Sequence, residues 1–339
     1  MTQFNVLHIE TSDRRDLLNI GKIDVANIHN AFKQYFSLLK VLLFSHADIV
    51  YFSICQTPIG FIRDIPLLTL SKLFRKKIVL HLHGGYFRKF YDQSNPFMKF
   101  IIRKSLKNVS HIIVLGHSLI NIFDEIYPRE KISVIPNGLN INPIVNSNEA
   151  DSEKPIVLFL SNLIKSKGFW DVLYSIKYVV KRFPDVSFIF AGNWTNEKDK
   201  IESEILVRKE KIERNTRFLG SIVGTAKIDL LASADIFVFP TYYPLEGHPL
   251  VIVEAMASGL PIISTDHAAI GQSVINGKNG LLTEKRNPKQ IADKIMLLLE
   301  KPDLRQSMGR ESKKIYEENF TEEKMIERLA STFIEVLES

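Results

Sequence analysis

Only one cysteine, Cys55, occurs in the chain. That excludes an internal disulfide framework and fits a reducing, cytoplasmic setting. Long apolar runs are also missing. The stretch VLLFSHADIVYFSI at 41–54 is broken by His46 and Asp48, so no segment is expected to span a bilayer. The opening MTQFNVLHIE has no basic stretch leading into an apolar core, and no secretory signal is expected. No short internal repeat and no low-complexity tract appear. No cluster of His and Asp reads as a metal site, and no recognised nucleic-acid motif is present, so neither a metal nor nucleic acid is an expected partner.

What is there is a soluble globular profile: 339 residues, 45% hydrophobic and 24% charged, enough for two domains with separate cores. The net charge of +6 is unevenly spread. Residues 61–107 hold eleven Lys and Arg against only Asp64 and Asp92, with Phe61, Tyr86, Phe87, Phe90, Tyr91, Phe97 and Phe100 interleaved. Such a stretch is either a solvated basic face or a surface that meets anionic lipid headgroups or a phosphorylated acceptor. The second reading implies peripheral attachment at the inner face of the cytoplasmic membrane.

Apolar runs alternate with helix-length segments throughout. FNVLHIE (4–10), DIVYFSI (48–54), KIVLHLH (77–83), HIIVLG (111–116) and KISVIP (131–136) read as buried strands, with helices over 23–45, 60–75 and 96–107. The rhythm stops at NINPIVNSNEADSEKP, 140–155, which reads as an interdomain linker. It then restarts, with strands at 155–161, 186–192, 217–220, 235–240 and 261–265. The expected fold is α/β, with two doubly wound parallel-sheet domains: 1–145, 155–318, and a closing helix at 319–339 that packs back on the first. Ligands of such sheets bind outside the carboxyl ends of the strands, and with two domains the natural site is a cleft between them.

EGHPLVIVEAMASGLPII, 246–263, carries Glu246 in a Gly-containing loop and Glu254 inside an apolar helix. Pro249 suits the helix start, Gly259 its end, and Pro261 the residue beyond. The free amides near His248–Val251 form an anion site, and Glu254 shares a face with Leu250 at i, i+4. A buried carboxylate needs a partner. A buried Lys or Arg is one possibility. The segment favours a ligand, with Glu254 accepting from two neighbouring sugar hydroxyls.

These residues resemble retaining glycosyltransferases of family 4 and their E-x7-E segment. The resemblance covers most of the chain and is strongest over 155–285, where SNLIKSKGFWDVL, VSFIFAGN, RFLGSI and SADIFVFPTYYPLEGHPL follow in the family's order. VIPNGLN (134–140), INGKNGLL (275–282) and LHLHGGYF (80–87) also match. It implies a GT-B fold, two Rossmann-like domains facing a cleft, and a nucleotide-sugar donor, UDP- or GDP-linked, with no further cofactor and no metal. It implies that Glu254 binds ribose and that Glu246 lies near the donor sugar. Gly247, His248, Pro249 and Leu250 would hold sugar and diphosphate through their backbone. Lys167 would meet the diphosphate, Gly220, Ser221 and Ile222 would lie by the base, and His83 near the transferred sugar.

Two departures stand out. Asn162 occupies the place of the family's phosphate-loop Arg, with Lys165 as a candidate replacement. The first strand's Gly-Gly loop is replaced by TSDRRDLLNIGKID. Acceptor contacts are expected from Arg14, Arg15 and Lys22, and on the His-Gly motif from Gly84, Arg88 and Lys89. His81, inside a strand, reads as a core histidine. The function this implies is retaining, metal-independent transfer of a hexose-type sugar to a glycan acceptor, lipid-linked, in surface polysaccharide or lipopolysaccharide synthesis. An acceptor-free nucleotide-sugar epimerase and a non-catalytic sugar-nucleotide-binding subunit remain the alternatives.

Overall fold

The computed structural model describes residues 4–10, 25–141 and 154–339. Two compact units result: Met1–Ile135 with Ile326–Ser339, and Pro136–Met325. Arg14, Arg15, Lys22 and most of the 140–155 linker lie outside the described residues.

In the first unit, strands β1 (Ile49–Ser53), β2 (Lys77–Leu82), β3 (His111–Val114) and β4 (Ile132–Val134) form one parallel sheet in the order β1-β2-β3-β4. Its helices are α1 (Val25–Phe44), α2 (Pro58–Leu73), α3 (Phe87–Gln93) and α4 (Pro96–Leu106). Helix starts are written locally. Thr57 accepts from the Gly60 amide ahead of α2 and Asn95 from the Met98 amide ahead of α4, each followed by proline at the first helical position. α2 packs against both α1 and α4.

The segment 4–10, expected as a strand, pairs with none: Val6 and Leu7 are exposed, and Phe4 stacks edge-on to Phe333. Apolar content marks a tendency to be buried, but a strand also needs a neighbouring backbone. Phe333 sits against Tyr51 of β1 as well, with ring centroids 5.4 Å apart.

The second unit is built on β5 (Ile156–Leu160), β6 (Ser187–Ala191), β7 (Thr216–Gly220), β8 (Ile236–Phe239), β9 (Ile262–Thr265) and β10 (Gly280–Thr283). Its helices are α5 (Phe169–Val179), α6 (Glu197–Lys209), α7 (Thr225–Ser233), α8 (Leu250–Ala257), α9 (Ile270–Ser273), α10 (Pro288–Glu300), α11 (Pro302–Asn319) and α12 (Glu322–Glu338), the last running on into the first unit. All six strands are parallel, in the order β10-β9-β8-β5-β6-β7. β5 and β8 are neighbours from which the winding proceeds in opposite directions. The loops after them therefore diverge and leave a crevice at their carboxyl ends. β8 is buried at all four positions, as a strand covered on both faces must be.

The two loops are locked together. The Tyr242 amide donates to Ser166 O at 2.8 Å. Gly168 has φ +86, and a Cβ placed there would lie 2.5 Å from Pro240 O. Left-handed backbone and close approach both require glycine. Gly168→Ala should lower stability by about 1–3 kcal/mol, seen as a melting shift of several degrees; an unchanged melt would show that the β5 and β8 loops are not held by this contact.

Candidate functional site

The β5 loop ends in a 3-10 turn, Lys165–Lys167. Lys167 Nζ lies over two aromatic faces, 5.4 Å from the Tyr243 centroid and 5.9 Å from that of Phe239. Such contacts hold an ammonium without neutralising it. Glu246, from the β8 loop, accepts from Thr241 Oγ1 at 3.1 Å. Burial raises its pKa, while the Lys167 charge and the Thr241 hydrogen bond act in the opposite direction. The structure thus brings Lys167 and Glu246 together at the crevice, across a separation of 79 residues in the chain.

His248 is buried, and its ring is a bolt. The Asn137 amide donates to Nδ1 at 3.1 Å, and Nε2 lies 2.6 Å from Ser273 Oγ. With Nδ1 accepting, the proton belongs on Nε2, which donates to the serine. Asn137 Nδ2 also donates to the His248 carbonyl at 2.8 Å. Gly247 O receives the Ala269 amide at 2.9 Å. These bonds fix the entry to α8, whose first amides receive no side-chain cap after Pro249. Its N-terminal turn therefore keeps free donors. Leu250 is exposed beside them.

Glu254 does not stand as the sequence suggests. Lys227 Nζ, from the first turn of α7, approaches Glu254 Oε1 at 2.5 Å. A protein cation meets this carboxylate at Oε1, the alternative to the ligand that the sequence favoured. The partner lies 27 residues away in the chain and reaches it because α7 and α8 belong to one unit. Glu254 Oε2 is buried and has no protein partner. The signal that could have revealed Lys227 is a lysine at the start of a helix, against the dipole, the same sign that singles out Lys167.

Gly220, with φ +71, closes β7 and receives the Gly192 amide through its carbonyl. Ser221 is exposed and Ile222 half-buried in the loop leading to α7. Asn162 is half-buried in the β5 loop. Lys165, the candidate replacement for the missing arginine, opens the 3-10 turn, and its charge acts on Asp171. Burial pushes the Asp171 carboxyl up to about 6, and Arg286 and Lys165 pull it back. Arg286, which sequence reasoning missed, sits at φ +58 with its guanidinium 4.7 Å from the Tyr242 ring centroid. A non-glycine residue in that region is uncommon.

In the first unit, His83 follows β2 in an exposed position, its ring centroid 4.0 Å from that of buried His81. His81 Nδ1 bonds to Tyr51 OH at 2.6 Å, and burial, with His83 beside it, lowers the His81 pKa to about 3. Gly84 is buried next to them. Arg88 is committed to Asp92 through Nε and to the Asp124 carbonyl through Nη1. Lys89 lies over the Tyr86 ring. No described helix is long and apolar enough to cross a membrane.

A lysine, a half-buried glutamate and an uncapped helix start meet at the switch point of a doubly wound parallel unit, where ligands of such sheets bind. The comparisons sharpen that class. The model for "Glycosyl transferases group 1" matches residues 140–315, and that for "Glycosyltransferase Family 4" matches residues 17–142. The chain belongs to the group 1 glycosyl transferases, with the family 4 region preceding. It is similar to the capsular polysaccharide biosynthesis glycosyltransferase CapM of Staphylococcus aureus, 25% identical over 96% of this chain and 89% of the relative. It is 27% identical to N-acetyl-alpha-D-glucosaminyl L-malate synthase of Bacillus anthracis, over 78% of this chain and 69% of the relative. Its fold resembles Anabaena HepE in complex with UDP, with a TM-score of 0.76, 19% identity and coverage of 89% and 82% of the two chains. It also resembles a Rickettsia africae glycosyltransferase, with a TM-score of 0.77, 18% identity and coverage of 98% and 85%. The fold is that of the GT-B glycosyltransferases.

His248 yields a test. Burial lowers its pKa to about 4 from 6.5. Above pH 6.5 neither folded nor unfolded chain protonates it. As pH falls toward 4 only the unfolded chain takes the proton, so stability is lost across that window, by roughly 3 kcal/mol. His248→Gln should melt lower at pH 7.5 and show a shallower decline between pH 6.5 and 4; an unchanged slope would remove the neutral-ring assignment.

Proposed function

We propose that the chain is a retaining, metal-independent glycosyltransferase. It moves a hexose-type sugar from a UDP- or GDP-linked donor to a lipid-linked glycan acceptor in surface polysaccharide or lipopolysaccharide synthesis, at the cytoplasmic face of a membrane. The observation that carries the reading is the convergence of Lys167, Glu246 and the free amides of α8 at the switch point between β5 and β8. Membership of the glycosyltransferase family, a relative named for capsular polysaccharide biosynthesis and a fold neighbour crystallised with UDP support it.

Charge grows on the nucleoside diphosphate as the glycosidic bond breaks. Lys167 and the α8 amides stabilise that charge, and as preorganised groups they cost little reorganisation. The acceptor hydroxyl forms the new bond on the face the diphosphate leaves, and its proton passes to the departing phosphate oxygen. Glu246, held by Thr241, orients the donor sugar. Glu254 meets the ribose.

The first unit supplies the lipid-facing surface. Phe97 and Phe100 of α4 are exposed, with Lys104 Nζ 5.8 Å from the Phe100 centroid. Phe32 and Phe36 of α1 are exposed beside Lys33 and Lys40. Neither helix contains an acidic residue. Aromatic and cationic side chains on a helix layer suit an anionic headgroup region.

Lys167→Ala should weaken UDP or GDP binding by about 10- to 100-fold while changing binding of the uncharged nucleoside by under about threefold. Glu246→Gln should keep diphosphate affinity and lose at least about 100-fold in turnover. Equal loss for nucleoside and diphosphate in the lysine variant would refute the phosphate role, and altered sugar nucleotide from donor alone would favour an epimerase. Vesicles containing phosphatidylglycerol should bind the protein at low salt and release it in high salt, where the Debye length shrinks to about 3 Å. Phe97→Ser with Phe100→Ser and Lys104→Glu should abolish that binding; retention by neutral vesicles, or by the triple variant, would dismiss the surface.

A further inference from the structure

Lys227 occupies an unfavourable place. It lies in the first turn of α7, at the positive end of the helix dipole, in a turn without an acidic residue or a side-chain cap. Its ammonium is drawn to Glu254 Oε1 at 2.5 Å, with 32% of the lysine side chain exposed and 11% of the glutamate's. The acid is therefore inside and the cation at the mouth. Two polar capacities remain. Glu254 Oε2 is buried without a protein partner, and an ammonium has three donors, of which Oε1 takes one. The loop from Gly220 to Gly224 borders open space at both glycines, where an added Cβ would meet nothing within 4 Å.

A bare carboxylate could accept from both hydroxyls of a diol. With Oε1 taken by Lys227, only Oε2 is left as an acceptor, and the second group at hand is a donor. We propose that Lys227 is a specificity-determining residue of the site: Glu254 Oε2 and Lys227 Nζ together read a vicinal diol, one hydroxyl donating to the carboxylate and its neighbour's oxygen accepting from the ammonium. This rests on the reading of Glu254 as the ribose-facing residue, so the diol is the 2′,3′-diol of the nucleotide. The pair assigns each hydroxyl a separate role. A ligand lacking either one leaves a buried acceptor without a donor or an ammonium donor without its acceptor, which makes the pair selective as well as attractive. A pair that merely ties α7 to α8 would have no such consequence.

The test compares UDP and GDP with their 2′-deoxy and 3′-deoxy counterparts on the full chain, by calorimetry or fluorescence, for wild type, Lys227→Met and Lys227→Arg. Wild type should lose about tenfold in affinity for each missing hydroxyl. Lys227→Met should bind the parent diphosphate about tenfold more weakly, and one deoxy penalty should fall to under about threefold while the other persists. Lys227→Arg should restore most of both values. Should the methionine variant not fold, Lys227→Gln carries the same comparison, since it keeps a donor for Glu254 but not the charge. Unchanged penalties in the variant, or tighter binding of the parent diphosphate, would overturn the proposal and leave the nucleotide site standing. If wild type binds neither UDP nor GDP, the nucleotide reading and this proposal fall together.

Discussion

The contact on which the rest depends is the join between two loops at the carboxyl ends of β5 and β8. The Tyr242 amide meets Ser166 O, and Gly168 lies against Pro240. Because winding reverses between these strands, their loops would otherwise spread apart. Once joined, they set Lys167 over Tyr243 and near Glu246. A cation and an uncapped helix start thus come to one crevice, and both follow from strand order.

Around this join the unit handles buried charge in three ways. His248 is kept neutral and used as a hydrogen-bonded bolt between Asn137 and Ser273. Asp171 is shifted upward by burial and balanced by Arg286 and Lys165. Glu254 is paired with Lys227 through one oxygen only. The first two hold the frame. The third leaves Oε2 buried without a protein partner.

The first unit carries different physics. Buried His81 is stacked against His83 at the end of β2, while α1 and α4 turn aromatic and basic side chains outward. Arg88, by contrast, is bound to Asp92 and to the Asp124 carbonyl. A basic residue in a basic stretch is not necessarily available, since what it does depends on which carboxylate folds beside it.

The parallel sheets, the buried α8 and the loop positions of Lys167 and Glu246 were legible in the sequence. Each follows from local pattern: apolar runs alternating with helical segments, a proline at a helix start, a glycine after its end. Tertiary structure alone decided the partner of Glu254, the bolt role of His248 and the failure of 4–10 to become a strand. The contacts of Glu254 and His248 join residues 27, 25 and 111 positions apart in the chain. Periodicity records which face of an element is apolar. It carries no information about which distant side chain or backbone will be brought to that face.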